Sequence, residues 1–392
     1  MNELERYAWI ELALTPHIGA ETFLHLIKYY GCARNALDAP FSEIKSFTRS
    51  QVGQYWQKDE AKRAAEAALE WEQSNNNARL LLLADEDFPP MLAEGLTPPP
   101  LLFLRGNSQC LHQPALAIVG SRHATPQANR IARDFATELA QKEVLIVSGM
   151  ADGIDTAAHQ GALRGKGMTV AVWGTGIDRV YPARNKDLAQ QITAQGCIVS
   201  EFPLGTRPLA GNFPRRNRLI AALSQGTLVV EAAIESGSLI TARLASEMGR
   251  EVMAVPGSID NPLSKGCHLL IKQGAKLVES LQDIVQECPL LLQKTQLLAY
   301  SDQKAGKTVL NVSQAEHKDS PKQTQPELVP DKVLTEIEQT ILTGLGYGVV
   351  HPDTLITTLG IAAADVYANL IALELEGWVT ALPGGCYQRV KS

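Results

Sequence analysis

The sequence predicts an α/β protein built on a doubly wound parallel sheet, with an all-helical segment before it and a small helices-plus-hairpin domain after it. Two observations carry this. Between residues 115 and 255, the runs ALAIV (115–119), VLIVS (144–148), TVAVW (169–173), CIVSE (197–201), TLVVE (227–231) and EVMAV (251–255) are apolar almost throughout. They alternate with helical stretches at 130–141, 154–165, 185–196, 215–226, 238–249 and 264–274. That alternation is the pattern of a parallel sheet covered on both faces. The second observation is that residues 1–75 and 331–392 keep helical periodicity but lose the alternation.

A chain of 392 residues suits two or three domains at about 150 residues each, and a hydrophobic fraction of 45% is ample for their cores. In the helical segment 1–75, LTPHIGAETFLHLIKYYG (14–31) has a Pro16-x-x-Gly19 turn, apolar Phe23, Leu24, Ile27 and Tyr30, and Gly31 as a stop. This is a helix-hairpin-helix (SAM-like) pattern, whose turn N–H groups can meet a phosphate. A plain helical hairpin packing on a neighbour is the favoured reading of the turn, since only Lys28 lies near. SNNNAR (74–79) closes the segment, and FPPML and LTPPPLLFLRGN form a proline-punctuated lead-in to the sheet. The sheet domain, 76–288, is Rossmann-like. Residues 289–330 are polar with little apolar period and read as a flexible, largely disordered linker. In 331–392, VLTEIEQTIL, HPDTLITTLG and AAADVYANLIALELEGW give three helices. VTALPGGCYQRV then gives a two-strand hairpin turning at 383–385, the outline of a winged helix.

The formal net charge of −6 excludes a generally basic nucleic-acid binder, so any polyanion site must be a local patch. Six scattered cysteines without a CxxC pair suggest neither a metal site nor a disulfide framework, and point to a reducing, cytoplasmic compartment. No apolar run reaches about 18 residues, and residues 1–15 carry early acids, so neither a membrane span nor a signal peptide is expected.

In open parallel sheets ligands bind beyond the carboxyl ends of the strands. Here those ends carry Gly120-Ser121-Arg122, Gly149 through Gly153, Gly174-Thr175-Gly176, Ser236-Gly237-Ser238 and Gly257-Ser258. Glycine lets a phosphate approach the backbone, and a following helix N-terminus supplies free N–H groups. The first strand ends in GSRHAT, not GxGxxG, and GALRGKGMT lacks Walker A spacing, so no NAD, ATP or other cofactor is indicated. FPRRNR (213–218) concentrates Arg215, Arg216 and Arg218 beside Phe213. Guanidinium groups grip phosphates in pairs of hydrogen bonds, and an aromatic ring can stack on a base, so the rim suits single-stranded nucleic acid. Structural ion pairs for Arg216 and Arg218 remain open. The acid–base candidates are Asp155, His159, Asp178, Glu231 and Glu235, with no Ser–His–Asp order or metal spacing. Asp155 and His159, four apart on one helix, read as a structural hydrogen-bonded pair. Glu231 is the best catalytic suspect.

AIVGSRHAT (117–125), SGMADGIDTAAHQGAL (148–163), GTGIDRVYP (174–182), SEFPLGT (200–206), FPRRNRLIAALS (213–224), VVEAAIESGSLITARLA (229–245) and VPGSIDNPLSKGCHLLIKQGA (255–275) together resemble the DNA-processing protein A family, DprA or Smf. The resemblance implies a non-catalytic protein. It would bind the single-stranded DNA taken up in natural transformation, protect it, load RecA on it with displacement of single-strand binding protein, and dimerise through the Rossmann-like domain. It implies a DNA pocket of Ser121, Arg122, Phe213, Arg216, Asn217 and Arg218, with Gly149, Gly153, Ser236, Gly237 and Ser238 along the same rim. Arg215 completes the basic cluster. Three departures stand out: Pro126-Gln127-Ala128 at a helix start, His268 where the family has Asn, and Ala210-Gly211 where some members carry Lys. The third helix of the C-terminal domain carries Asp365, Glu374 and Glu376 and no base, which points to a protein contact and away from duplex binding. The rival reading is a LOG-type nucleotide phosphoribohydrolase using Glu231 or Glu235 at the sugar. It lacks its PGGxGT loop, since this chain has ESGSLITA there.

Overall fold

The computed structural model describes residues 1–48, 50–292, 334–345, 348–382 and 384–390. They fall into two compact units, Met1–Gln293 and Lys294–Ser392.

The first unit opens with α1 (Glu3–Leu14), α2 (Ala20–Tyr30), α3 (Ala33–Asp38), α4 (Phe41–Ile44) and α5 (Asp59–Ser74). Asn2 caps α1 by accepting from the Glu5 N–H, and Gly31 ends α2 in the left-handed region, with φ 81°. Then follow β1 (Ala78–Leu82), α6 (Pro90–Ala93), β2 (Leu101–Gly106), β3 (Ala115–Val119), α7 (Pro126–Gln141), β4 (Leu145–Ser148), α8 (Ile154–Arg164), β5 (Thr169–Val172), α9 (Lys186–Gln195) and β6 (Cys197–Ser200). The unit closes with α10 (Asn212–Ala222), β7 (Gly226–Val229), α11 (Gly237–Glu247), β8 (Glu251–Ala254), α12 (Lys265–Lys272), β9 (Lys276–Leu277) and α13 (Leu281–Glu287).

The nine strands form one sheet in the order β1-β2-β6-β5-β4-β3-β7-β8-β9. From β6 to β9 all neighbours are parallel, as the alternation predicts. The lead-in adds two strands that the sequence pattern did not reveal: β2 pairs antiparallel with β6, and β1 antiparallel with β2. The prolines lie between these strands, not within them. Starting from β3 the chain builds outward to β6, then returns to place β7 on the other side of β3. The switch point is therefore the β3/β7 boundary.

Side chains alternate across each strand, so each face has its own core. Leu116 and Ile118 of β3 meet α7, α8 and α13, whereas Ala115, Ala117 and Val119 meet the side holding α6, α10, α11 and α12. Leu80, Leu82, Leu101, Phe103 and Ile198 share a core with α9 and with Ile10, Leu12, Phe23 and Leu26 of the N-terminal helices. Polar ties reinforce it: Trp9 Nε1 donates to the Pro100 carbonyl at 2.7 Å, and Glu72 accepts from the Leu80 N–H at 2.7 Å.

The second unit contains α14 (Glu336–Leu345), β10 (Val349–Val350), α15 (Pro352–Leu359), α16 (Ala363–Leu375), β11 (Val379–Leu382) and β12 (Cys386–Arg389). Its three helices close on Ile341, Leu342, Leu355, Val366, Leu370 and Leu373. The hairpin turns where expected, with Leu382 opposite Cys386, and β10 makes it a three-stranded antiparallel sheet. This is the winged-helix outline. Most of the expected linker, from 293 to 330, lies outside the described residues; Pro289–Leu292 form a 3-10 turn.

Candidate functional site

A cavity of about 700 Å3 opens at the switch point, and Ser121, Arg122, Phe213, Arg216, Asn217, Ser236, Gly237 and Ser238 all line it. The loop after β3 is fixed from below. The Ser121 N–H donates to the Glu231 carbonyl at 2.6 Å, and the Ile154 N–H to the Ser121 carbonyl at 3.2 Å. Gly153 has φ 74°, and a Cβ there would run into the Ser121 carbonyl oxygen, so glycine is required where α8 starts against this loop. Gly153 thus sits beneath the rim. Gly149 floors a small recess beside it, shared with Arg122, Tyr181 and Phe213.

The arginines divide by environment. Arg122 is exposed, lies 5.3 Å from the centroid of the Phe213 ring, and has no carboxylate partner among the described residues. Phe213 also meets Tyr181, with ring centroids 5.6 Å apart. Tyr181 escaped the sequence reading, although its place in a loop beyond a strand end could have marked it. Arg216 is buried at 3% exposure, and its Nη1 donates to the carbonyls of Gly149 and Val172. Its Nε donates to Asn217 Oδ1 at 3.1 Å, and Asn217 Nδ2 donates to the Gly237 carbonyl at 3.1 Å. Burial pushes the Arg216 guanidinium down to about 10, with Asp155 pulling the other way, so it stays cationic at neutral pH. Burial likewise pushes the Asp155 carboxyl up, against the pull of Arg216.

Arg218 and Arg215 converge on buried Glu201 instead. Arg218 pairs with Glu201 Oε2 and donates to the Thr97 carbonyl at 2.6 Å, while Arg215 Nε lies 3.4 Å from Glu201 Oε1. Arg215 is over half exposed and lines a separate cavity of about 430 Å3 beside the Pro16–Ile18 turn. Neither arginine lines the switch-point cavity. Glu201, which nothing in the sequence pattern singled out, organises both.

The backbone side of the cavity is the first turn of α11. Ser236 is its N-cap and accepts from the Ser238 N–H at 3.3 Å, and a Cβ on Gly237 would meet nothing within 4 Å. The cavity therefore offers an exposed guanidinium, an aromatic pair and an open helix N-terminus.

The acid–base candidates resolve differently. The Asp155–His159 pairing is not formed. Asp155 Oδ2 accepts from the Ala151 N–H at 3.1 Å, and His159 Nδ1 meets Thr169 Oγ1 at 2.7 Å. Thr169 spends its own proton on the Ile146 carbonyl, so His159 donates from Nδ1 and leaves Nε2 buried without a partner among the described residues. Burial, with Arg216 nearby, pushes its pKa down to about 3. Glu231 is structural: it accepts from the Thr125 N–H at 2.8 Å, Thr125 Oγ1 at 3.1 Å and Asn261 Nδ2 at 3.0 Å. Asp178 accepts from the Gly205 N–H, and Glu235 is exposed on the cavity rim. Helix α7 begins at Pro126, capped by Thr125, four residues earlier than its period suggested. His268 Nε2 contacts the Gly257 carbonyl at 3.0 Å.

Comparison with known proteins gives the same picture throughout the chain. The profile described as DNA recombination-mediator protein A matches residues 79–289. The chain belongs to the DprA/Smf family. Profiles for a DprA-like N-terminal HHH domain and a DprA winged helix domain match residues 3–41 and 321–385. Protein Smf of Escherichia coli K12 is 40% identical over 333 residues, covering 84% of this chain and 82% of its own. The X-ray structure of Streptococcus pneumoniae DprA superposes with TM-score 0.63 and 38% identity, covering 72% of this chain and 97% of that one. A Helicobacter pylori DprA structure, reported for its single-stranded DNA binding mode, gives TM-score 0.50 and 30% identity over 55% of this chain and 98% of that one. DprA/Smf proteins are DNA-binding mediators and not enzymes; membership carries that statement for this chain. Among the described residues, no helix is long and apolar enough to cross a membrane.

Proposed function

We propose that the switch-point cavity holds single-stranded DNA, and that the protein protects strands taken up in natural transformation and hands them to RecA in the cytoplasm, displacing single-strand binding protein. The observation that carries this is Arg122, a guanidinium with no carboxylate partner among the described residues, set beside Phe213 in the cavity that the open first turn of α11 also lines. In this reading Arg122 and the N–H group of Gly237 take phosphate, and Phe213 with Tyr181 takes a base. Ser121 shapes the loop, while Arg216 and Asn217 hold the floor through Gly149 and Gly237. Arg218 and Arg215 anchor α10 on Glu201, with Arg215 near enough to solvent to meet the strand as it leaves. The division into 1–75, 76–288 and 331–392, joined by 289–330, belongs to the same reading. So does a homodimer through the Rossmann-like domain. Among the described residues strand β9 pairs only with β8, and it carries Leu277 at 39% exposure, which supports that edge as the dimer contact.

The test is fluorescence anisotropy with labelled oligo-dT of about 20 nucleotides, against a duplex control, at two salt concentrations. Tight, salt-sensitive binding that weakens on Arg122→Ala is expected. No binding, with release of a free base from a nucleoside monophosphate that is lost on Glu235→Gln, would replace this reading with phosphoribohydrolase chemistry.

A further inference from the structure

The winged-helix unit has a second feature, unrelated to the cavity. One side of α16 closes the core through Val366, Leu370 and Leu373. The other side is also apolar: Ala364, Tyr367, Ala368, Ile371 and Leu375 form a stripe at helical spacing, with Tyr367 40%, Ile371 52% and Leu375 85% exposed. A helix that needs only one buried face normally covers the other with charge. A contiguous apolar stripe in water marks an interaction site.

The surrounding charge selects the occupant. Residues 334–390 carry Glu336, Glu338, Asp353, Asp365, Glu374 and Glu376 against Arg389 and no lysine. A nucleic acid would meet these carboxylates where a winged helix normally offers bases to the phosphates. A second copy docked antiparallel on the stripe would bring the Asp365–Glu376 border against itself, Asp365 facing Glu376, and a parallel one would bring Glu376 against Glu374. Both are like-charge contacts. Glu374 is fixed in place, accepting from the Ala381 N–H at 3.0 Å. We infer that the Tyr367–Ile371–Leu375 face of α16 docks a basic, amphipathic segment of a protein partner, apolar residues on the stripe and lysines or arginines on its acidic border.

The test uses the full chain with a benzoylphenylalanine photo-cross-linker in place of Ile371, irradiated in its host cells, with adducts mapped by mass spectrometry. The expected result is an adduct on one protein, within a segment of net positive charge. That purified partner should then bind the full chain at least tenfold more weakly after Leu375→Glu, and more weakly in high salt, with oligo-dT affinity unchanged. Leu375 is so exposed that this substitution spares the fold. An adduct to a second copy, to DNA or to a segment without positive charge overturns the inference. So does no adduct from a variant that still binds oligo-dT.

Discussion

With single-stranded DNA in the switch-point cavity as proposed, Arg122→Ala separates the contacts made to the strand from those that hold the fold. The Arg122 side chain is exposed and pairs with no carboxylate among the described residues, so its removal costs the free protein little. What it removes on binding is one charge-assisted hydrogen-bonded phosphate contact, about 1.5–3 kcal/mol; the cation–π contact at Phe213 is already made in the free protein and cancels from the binding equilibrium. That loss of roughly 1.5–3 kcal/mol is about 10- to 150-fold in Kd. The salt dependence gives a second, independent number. Losing one single-strand phosphate contact should flatten the slope of log K against log salt by about 0.7. Anisotropy titrations at four or five salt concentrations read both quantities, and a thermal melt supplies the stability control. Arg122→Lys should keep the slope and lose part of the affinity, because the ammonium cannot stack as the guanidinium does. Unchanged affinity, or a large loss with an unchanged salt slope, would refute the assignment of Arg122 to phosphate.

Arg216→Met should behave oppositely: it strands the Gly149 and Val172 carbonyls and leaves Asp155 unopposed, at about 3–5 kcal/mol, so the melting temperature should fall by roughly 10 °C. Gly237→Ala adds a Cβ into open space, so the melt should move little while oligo-dT affinity drops several-fold; equal affinity would show that no strand backbone approaches there. His159 titrates near 6.5 in the unfolded chain and at about 3 in the fold. The unfolded state therefore binds the extra proton in that window, and stability is lost as pH falls through it, by up to about 1.4 kcal/mol per unit. Paired melts at pH 7 and pH 5 should show a smaller difference for His159→Gln than for the unsubstituted chain. Asp155, raised by burial, pushes the other way.

The sheet strands from β3 to β8 were legible because most of their residues are buried on both faces and so are apolar almost without interruption. Strands β1 and β2 are just as apolar, in ARLLL and LLFLRG, but the prolines around them masked the pairing. The site was legible at the level of loops. Gly120, Gly149 and Gly153 are readable because close packing leaves no room for a Cβ there, whereas Gly237 faces open space. The roles within the arginine cluster were harder to read. Arg216 lies three and four residues before Leu219 and Ile220, on the face of α10 that packs inward, which is a readable sign of burial. The pairing of Arg215 and Arg218 with Glu201 joins separate loops and helices, and no local spacing encodes it. Asp155 and His159 show the converse error: helical spacing allowed a contact that Thr169 and the Ala151 N–H won.

The core shared by the N-terminal helices and the sheet bears on how modular this architecture is. A chain begun at residue 76 would keep every residue of the cavity, yet Leu80, Leu82, Leu101 and Phe103 would lose the cover the N-terminal helices give them. Shortening such a protein, by an engineer or by descent, is thus a problem in repainting alternate positions of two strands as much as in choosing where to cut. A truncation without that repainting should expose an apolar face and promote non-native association, while the cavity end of the sheet stays chemically intact.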